Sequence, residues 1–408
     1  LIGSVLCGFA NSMSELIFYR FLQGLGAGAV QPIATTIVGD IYTLKERAKV
    51  QGYLASVWGI SSIVGPTLGG IFVDYFHWSL VFWINIPFGI VSIILMMLFL
   101  HEGIEKKKHS IDYLGSSLLF LSITAIMLAF IQGGVAWDWF SLPSIFLILF
   151  FLICITLFLL QEKRAKDPMM PLDLWKNKII TSSNLGALTT GMVMISVASF
   201  VPTYVQGVMG YSALIAGLSL GVMSIGWPIS STIAGKLLIK IGSLKTAFIG
   251  AIALIIGSII LLFSTPTLGP VWVGFGTFFI GVGMGFTTTT FIFSIQSSVE
   301  WKVRGVATAS NMFMRILGNT VGVSLMGGLL NNRLARFIED HRETLGDVDL
   351  NITNTMLNPE KRDKIQENVL TLLEEGLNIS IHYVFAAVAI LSFISFIIIR
   401  LLPKKLNR

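Results

Sequence analysis

The chain carries 28 lysines and arginines and 22 acids, and their placement decides what chemistry is open to it. Only two of the basic residues, Arg20 and Arg315, fall well inside apolar runs. A guanidinium in hydrocarbon costs ~3 kcal/mol or more unless paired or wetted, so an arginine kept there is a functional candidate by default. Next to a carboxylate it would lower that acid's pKa and so set when the acid takes up a proton. Alone, it would bond helix carbonyls and hold a bundle together. No acid is placed at mid-span to meet either arginine: all lie in loops or at helix ends, and none lies between Asp173 and Glu300. Asp40, at the end of the Arg20 run, and Asp74 are edge acids. Asp40 reads equally as a proton-coupling or latch residue and as a solvated helix terminus. Gln31, Trp58, Asn311 and Arg315 stand at mid-span depth and would line an amphipathic pocket for a bulky lipophilic molecule. For Asn311 an interhelical hydrogen bond is the alternative.

Other chemistries find no residues. There is no His-Glu-x-x-His and no Gly-x-x-x-x-Gly-Lys-Ser/Thr, and none of the five histidines stands with a nucleophile, which excludes a zinc hydrolase and an ATP-driven pump. His101 and His109 are edge residues, and Cys7 and Cys154 lie in apolar stretches. No metal site, no cofactor, no disulfide and no enzymatic activity is expected.

The elements that would position these residues are membrane helices. Charged residues make up 12% of the chain and mean hydropathy is +0.80, whereas soluble domains carry about 25% charged residues. Apolar runs near twenty residues long mean lipid, and in lipid each must be a helix to satisfy its own backbone. A partial run over about 1–9 precedes full ones at roughly 15–41, 51–72, 79–100, 113–131, 142–161, 179–205, 213–239, 246–263, 270–295, 306–330 and 379–401. Net charge is +6, but the basic residues sit in alternate loops rather than on a soluble face, so nucleic acid is rejected as a partner. The set holding Lys45, Lys106, Lys163, Lys236, Lys302 and the tail from Arg400 is basic. The turns near 10–14, 73–78, 132–141, 206–212 and 264–269 hold no Lys or Arg. The positive-inside rule makes the first set, and the C-terminus, cytoplasmic.

Two stretches repeat at an offset of 253: Lys49-Val50-Gln51-Gly52 matches Lys302-Val303-Arg304-Gly305, and Gly65-Pro66-Thr67-Leu68-Gly69 matches Gly318-Asn319-Thr320-Val321-Gly322. Gly24, Gly26 and Gly28 match Gly281, Gly283 and Gly285 as well, with a small loop slip in the offset. Two related helical halves are the signature of a secondary transporter with its substrate site between them. The repeat places the start of the first half roughly 80 residues ahead of Leu1, so the chain reads as a fragment of a fourteen-span protein. The expected division is a truncated first bundle over 1–100, two inserted helices with linkers over 101–178, a six-helix bundle over 179–401 that includes an external loop at 332–378, and a tail at 402–408.

Phe18-Tyr19-Arg20-Phe21-Leu22-Gln23-Gly24-Leu25-Gly26-Ala27-Gly28 resembles the fourth-helix motif of the major facilitator superfamily. Trp58-Gly59, Gly65-Pro66-Thr67-Leu68-Gly69-Gly70, then Trp78, Phe82 and Asn85-Ile86-Pro87 resemble the fifth-helix antiporter motif and its continuation. The likeness is to the fourteen-helix drug–proton antiporters of that superfamily, the QacA/EmrB type. It implies an all-α major facilitator fold of two pseudo-symmetric six-helix bundles plus two inserted helices. It also implies export of amphipathic small molecules by exchange for protons across a bacterial cytoplasmic membrane, with Arg20 linked to proton transfer. Gly65, Pro66, Gly69 and Gly70 would seal the outward face, and the working unit would be a monomer. Gly235-Lys236-Leu237, Gly242 and Lys245 resemble a degenerate second-half loop motif, with Lys240 where the stronger copy carries an acid. Rival readings are a dedicated exporter of one antibiotic, lipid or metabolite, and a receptor that binds through the 332–378 loop.

Overall fold

Helices start where the sequence supplies a cap. Ser12 accepts the Glu15 N–H at 3.2 Å while the Glu15 carboxylate accepts the Asn11 N–H at 2.9 Å, and α2 (Met13–Ile41) begins there, in the manner of a capping box. Asp112 opens α4 (Tyr113–Gln132) and Asn177 opens α6 (Lys178–Thr203) in the same way. Between them lie α1 (Ile2–Gly8), α3 (Leu80–Phe99) and α5 (Leu142–Arg164). The second half continues with α7 (Ala213–Ile241), α8 (Ser243–Leu262), α9 (Gly269–Ser298), α10 (Trp301–Asp340) and α11 (Glu367–Ile399). Gly242, at φ 82, makes the one-residue turn from α7 to α8, a conformation that only glycine adopts cheaply.

The structure is a computed structural model. It describes every residue except 44, 45, 47–49, 51, 52, 55, 56, 58–60, 62, 63, 66, 67, 70, 71, 73–75, 101–109, 134, 135, 346–349, 351, 358–361, 363, 364 and 403–408, and except the side chains of Gln31, Asp40, Lys302 and Asn354. Among the described residues ten helices are long and apolar enough to cross a membrane, and there is no strand. They correspond to ten of the eleven full apolar runs. The eleventh, 51–72, lies largely outside the described residues, although Gly65 and Gly69 are helical.

Two helices outrun their apolar segments. Charged residues from Arg333 onward end the apolar run near 330, yet α10 continues to Asp340, and α11 starts at Glu367 rather than near 379. Hydropathy reports where lipid ends, not where the helix does. Leu334 and Ile338 on α10 and Leu373 and Leu377 on α11 are buried together above the spans. The expected loop at 332–378 is therefore largely helical at both ends. Between them Arg362 donates to the carbonyls of Gln206 at 2.9 Å and Gly207 at 3.2 Å and pairs with Glu374. This ties the segment to the π-helical turn Tyr204–Val208 that ends α6 just beyond Pro202.

Close packing in the second half is made by small residues. A Cβ added at Gly281 would lie 2.1 Å from the Met223 carbonyl, and one at Gly285 would lie 2.4 Å from that of Trp227, so α9 rests backbone to backbone on α7. Gly283 meets Leu254 and Gly250 of α8 in the same manner. Gly318 and Gly322 of α10 press on Leu188 and Met192 of α6. Small residues at such crossings let helices approach without a hydrophobic drive, which lipid does not provide. The result makes α9 the central helix of its half, with 78% of its most apolar window buried. Its repeat mate α2 has 12%, and among the described residues nothing lies within 4 Å of a Cβ added at Gly24, Gly26, Gly28, Gly65 or Gly69. Among the described residues the same glycine pattern is filled in one half and open in the other.

Candidate functional site

Three groups of polar residues stand out within the helices. The first surrounds Arg20. Its Nη1 donates to Gln23 Oε1 at 2.7 Å, one turn on along α2, and Gln23 Nε2 donates to Ser4 Oγ of α1 at 2.8 Å. The guanidinium carbon sits 5.7 Å from the centroid of the Phe82 ring on α3, within cation–π range. Three partners lock α3 against α1: Ser79 Oγ donates to the Gly8 carbonyl at 2.7 Å, Trp83 Nε1 to that of Val5 at 3.3 Å, and the Trp83 ring tilts on Phe9. Two motifs distant in sequence, the Arg20–Gln23 pair and the Phe82 continuation, thus meet at one place. Arg20 is otherwise exposed and forms no ion pair among the described residues. It is a fixed positive charge held by a neutral amide and an aromatic face, with its outer side free to meet an anion or a carboxylate.

The second group lies on α10. Asn311 is buried and donates to the Ser183 carbonyl at 3.0 Å and to Asn184 Oδ1 at 3.2 Å, and Asn184 donates to Ser310 Oγ at 3.0 Å. Asn311 is thus an interhelical tie between α6 and α10. Arg315, one turn further, is half-buried and forms no hydrogen bond or ion pair among the described residues. Its backbone carbonyl faces Gly191 of α6, and Asn319 Oδ1, a further turn along, is buried without a partner. Arg20 and Arg315 belong to different halves and are not brought together by any contact.

The third group was not singled out from sequence. At the end of the molecule that carries the lysine-rich turns, here the basic end, Arg304 Nη1 donates to the Gly39 carbonyl at 3.0 Å and Gln296 Nε2 to that of Thr35 at 3.4 Å. Gly39 admits Gln296, whose Nε2 would lie 3.0 Å from a Cβ there. The seam joins the last turn of α2 to the α9–α10 turn, and so joins the two halves. A cation at a helix C-terminus meets the unsatisfied carbonyls and the negative end of the helix dipole. From sequence Arg304 stood out only as a loop cation and as a member of the repeated Lys302–Gly305 stretch, and its bond to the Gly39 backbone oxygen is a contact that no side-chain motif reveals.

Of the other residues picked from sequence, Gln31 and Asp40 have helical backbone and side chains outside the description, and Trp58, Pro66 and Gly70 lie outside the described residues. Gly65 and Gly69 are helical, with no described atom within 4 Å of a Cβ added at either. On the linker at the basic end, the Asp173 carboxyl is held below its ordinary range by the hydrogen bond from Lys176, 2.7 Å away, and by its charge.

Multidrug resistance protein 3 of Bacillus subtilis (strain 168) is 33% identical over 392 residues, which covers 94% of this chain and 77% of that protein. Multidrug transporter protein MdtP of the same organism is 34% identical over 344 residues, with 83% of this chain and 62% of the relative covered. Among solved structures, a bacterial homologue of the human lysosomal transporter Spinster in an inward-facing, unoccupied conformation superposes with a TM-score of 0.51 at 16% identity. That superposition covers 98% of this chain and 81% of the other, a likeness of fold. The family model described as Major Facilitator Superfamily matches residues 1–323. With two helical halves, a glycine-packed bundle and a family match over most of its length, this multi-pass membrane protein belongs to the major facilitator superfamily.

Proposed function

We propose that this chain exports amphipathic small molecules across the bacterial cytoplasmic membrane, by alternating access and in exchange for protons, with the basic end and the C-terminus in the cytoplasm. The relatives named as multidrug transporters support the substrate class. One observation carries the proton step. Arg20 is fixed by Gln23 and Phe82, yet has no acid partner among the described residues. A carboxylate brought beside it would be held ionised and would release its proton more readily, by direct charge stabilisation. Movement that separates the two would restore proton affinity, which is what exchange requires. The Arg304–Gly39 and Gln296–Thr35 contacts are the seam whose opening admits substrate from the basic end, and one copy of the chain is the working unit. Arg315, unpaired beside Asn311 and Asn319, supplies a polar, cationic wall suited to neutral or anionic ligands.

The test is export of a fluorescent lipophilic dye from proteoliposomes under an imposed pH gradient. Wild type should transport only with the gradient, and Arg20→Ala should lose at least about tenfold in rate, the scale expected for an intramembrane charge that tunes proton binding. Unchanged gradient-driven export by Arg20→Ala would reject the role.

A further inference from the structure

His382 lies on α11 toward the end opposite the basic one, half-buried, with both ring nitrogens against carbonyl oxygens. Nδ1 is 2.8 Å from the carbonyl of Asn378 and Nε2 is 2.8 Å from that of Ser264, in the turn between α8 and α9. A carbonyl only accepts, so each contact needs an N–H on the ring. A neutral imidazole has one and an imidazolium has two. Both contacts are complete only when the ring carries a second proton. In the neutral ring one nitrogen lone pair would face a carbonyl lone pair, and that contact would open. From this geometry we infer that His382 is a proton-binding site whose occupancy clasps α11 to the α8–α9 turn.

The surroundings hold the ring in place and leave it a way out. Ser264 also accepts the Tyr204 O–H at 3.1 Å, so both lone pairs of that carbonyl are engaged. Tyr204 and Phe385 meet the His382 ring edge-on, with centroids 5.7 Å and 6.0 Å away. An open groove of about 340 Å³, lined by Asn378, Ile379, His382, Tyr383 and Ala386, lies beside the ring. The ionisable groups around it are few. Tyr204 comes from the end of α6, and Tyr383 stands beside it on α11 with Arg333 of α10 4.0 Å over its ring. Glu374, eight residues back along α11, is paired with Arg362. Beyond Lys245 in the first turn of α8, at the far end of that helix, the 246–299 stretch of α8 and α9 holds no charged residue. No carboxylate among the described residues forms an ion pair with His382, so the positive charge rests on two carbonyl dipoles. The clasp therefore closes when the ring gains its second proton and loosens when it loses it.

Proton binding here stands on geometry alone, whereas its use in transport rests on the proton-exchange reading above. The experiment separates the two. Hydrogen exchange of the 258–272 peptide is followed in nanodiscs at pH 5.5 and 8.0, corrected for the intrinsic pH dependence of amide exchange. In wild type, protection should fall at least ~3-fold at the higher pH as the turn opens locally, and His382→Gln should abolish that pH response. Tyr204→Phe, which keeps the ring, should retain it. Spectra of protein labelled with ¹⁵N-histidine need no variant, and should show one ring with two exchange-protected N–H groups below neutral pH. Wild-type protection that is indifferent to pH, an equal pH response in His382→Gln, or the absence of a doubly protected ring would each overturn the inference. Export without a pH gradient would instead defeat the transport reading and leave the site standing.

Discussion

At the scale of single residues, the account depends on a few polar groups whose partners differ in kind. Asn311 has two acceptors on α6, and interhelical hydrogen bonds in membranes contribute about 0.6 kcal/mol each on average. Asn311→Ala should therefore cost about 1 kcal/mol by that figure and lower the unfolding midpoint in detergent, while gradient-driven export by the surviving protein stays near wild type. A large loss of export at unchanged stability would make Asn311 a cavity residue instead. Arg304→Ala removes the donor to Gly39 and should favour the state that is open at the basic end, read as faster labelling of a cysteine at Thr35. Unaltered labelling would show that the seam carries no conformational weight. Arg20 was legible in the sequence because its type is rare inside an apolar run. The contacts of His382 with Ser264 and of Arg304 with Gly39 were not, because they run to carbonyls 118 and 265 residues away, which leave no trace in side-chain patterns.

At the scale of elements, the glycine rows divide the molecule. Gly281, Gly283 and Gly285 touch neighbouring helices, whereas Gly24, Gly26 and Gly28 meet no other helix among the described residues. Forcing a side chain into a packed crossing shifts backbones and costs about 1–3 kcal/mol or more. Gly281→Leu should thus abolish recovery of monodisperse protein, while Gly24→Leu in this same chain should be recovered at close to wild-type yield. Equal loss from both would show that the α2 face is filled. Spans were readable from hydropathy because lipid imposes helix on every apolar run. Helix ends were not. The extension of α10 to Asp340 and the early start of α11 at Glu367 come from burial of Leu334, Ile338, Leu373 and Leu377 against one another, a tertiary effect beyond the membrane plane.

At the scale of the whole molecule, the repeat supplied two halves and the structure supplies the contact between them: the last turn of α2 on the α9–α10 turn. Alternating access requires that this contact break and re-form while each half keeps its own packing, a rigid-body motion about a fixed site. Tyr42 and Trp301, both exposed at the basic end, flank the seam and suit spin labels. The most direct measurement is the distance distribution between labels at these two positions in nanodiscs, with and without a transported dye, at pH 5.5 and 8.0. The account predicts two populations, one short and one longer, whose ratio shifts with pH and with substrate. A single distance that neither condition moves would contradict it.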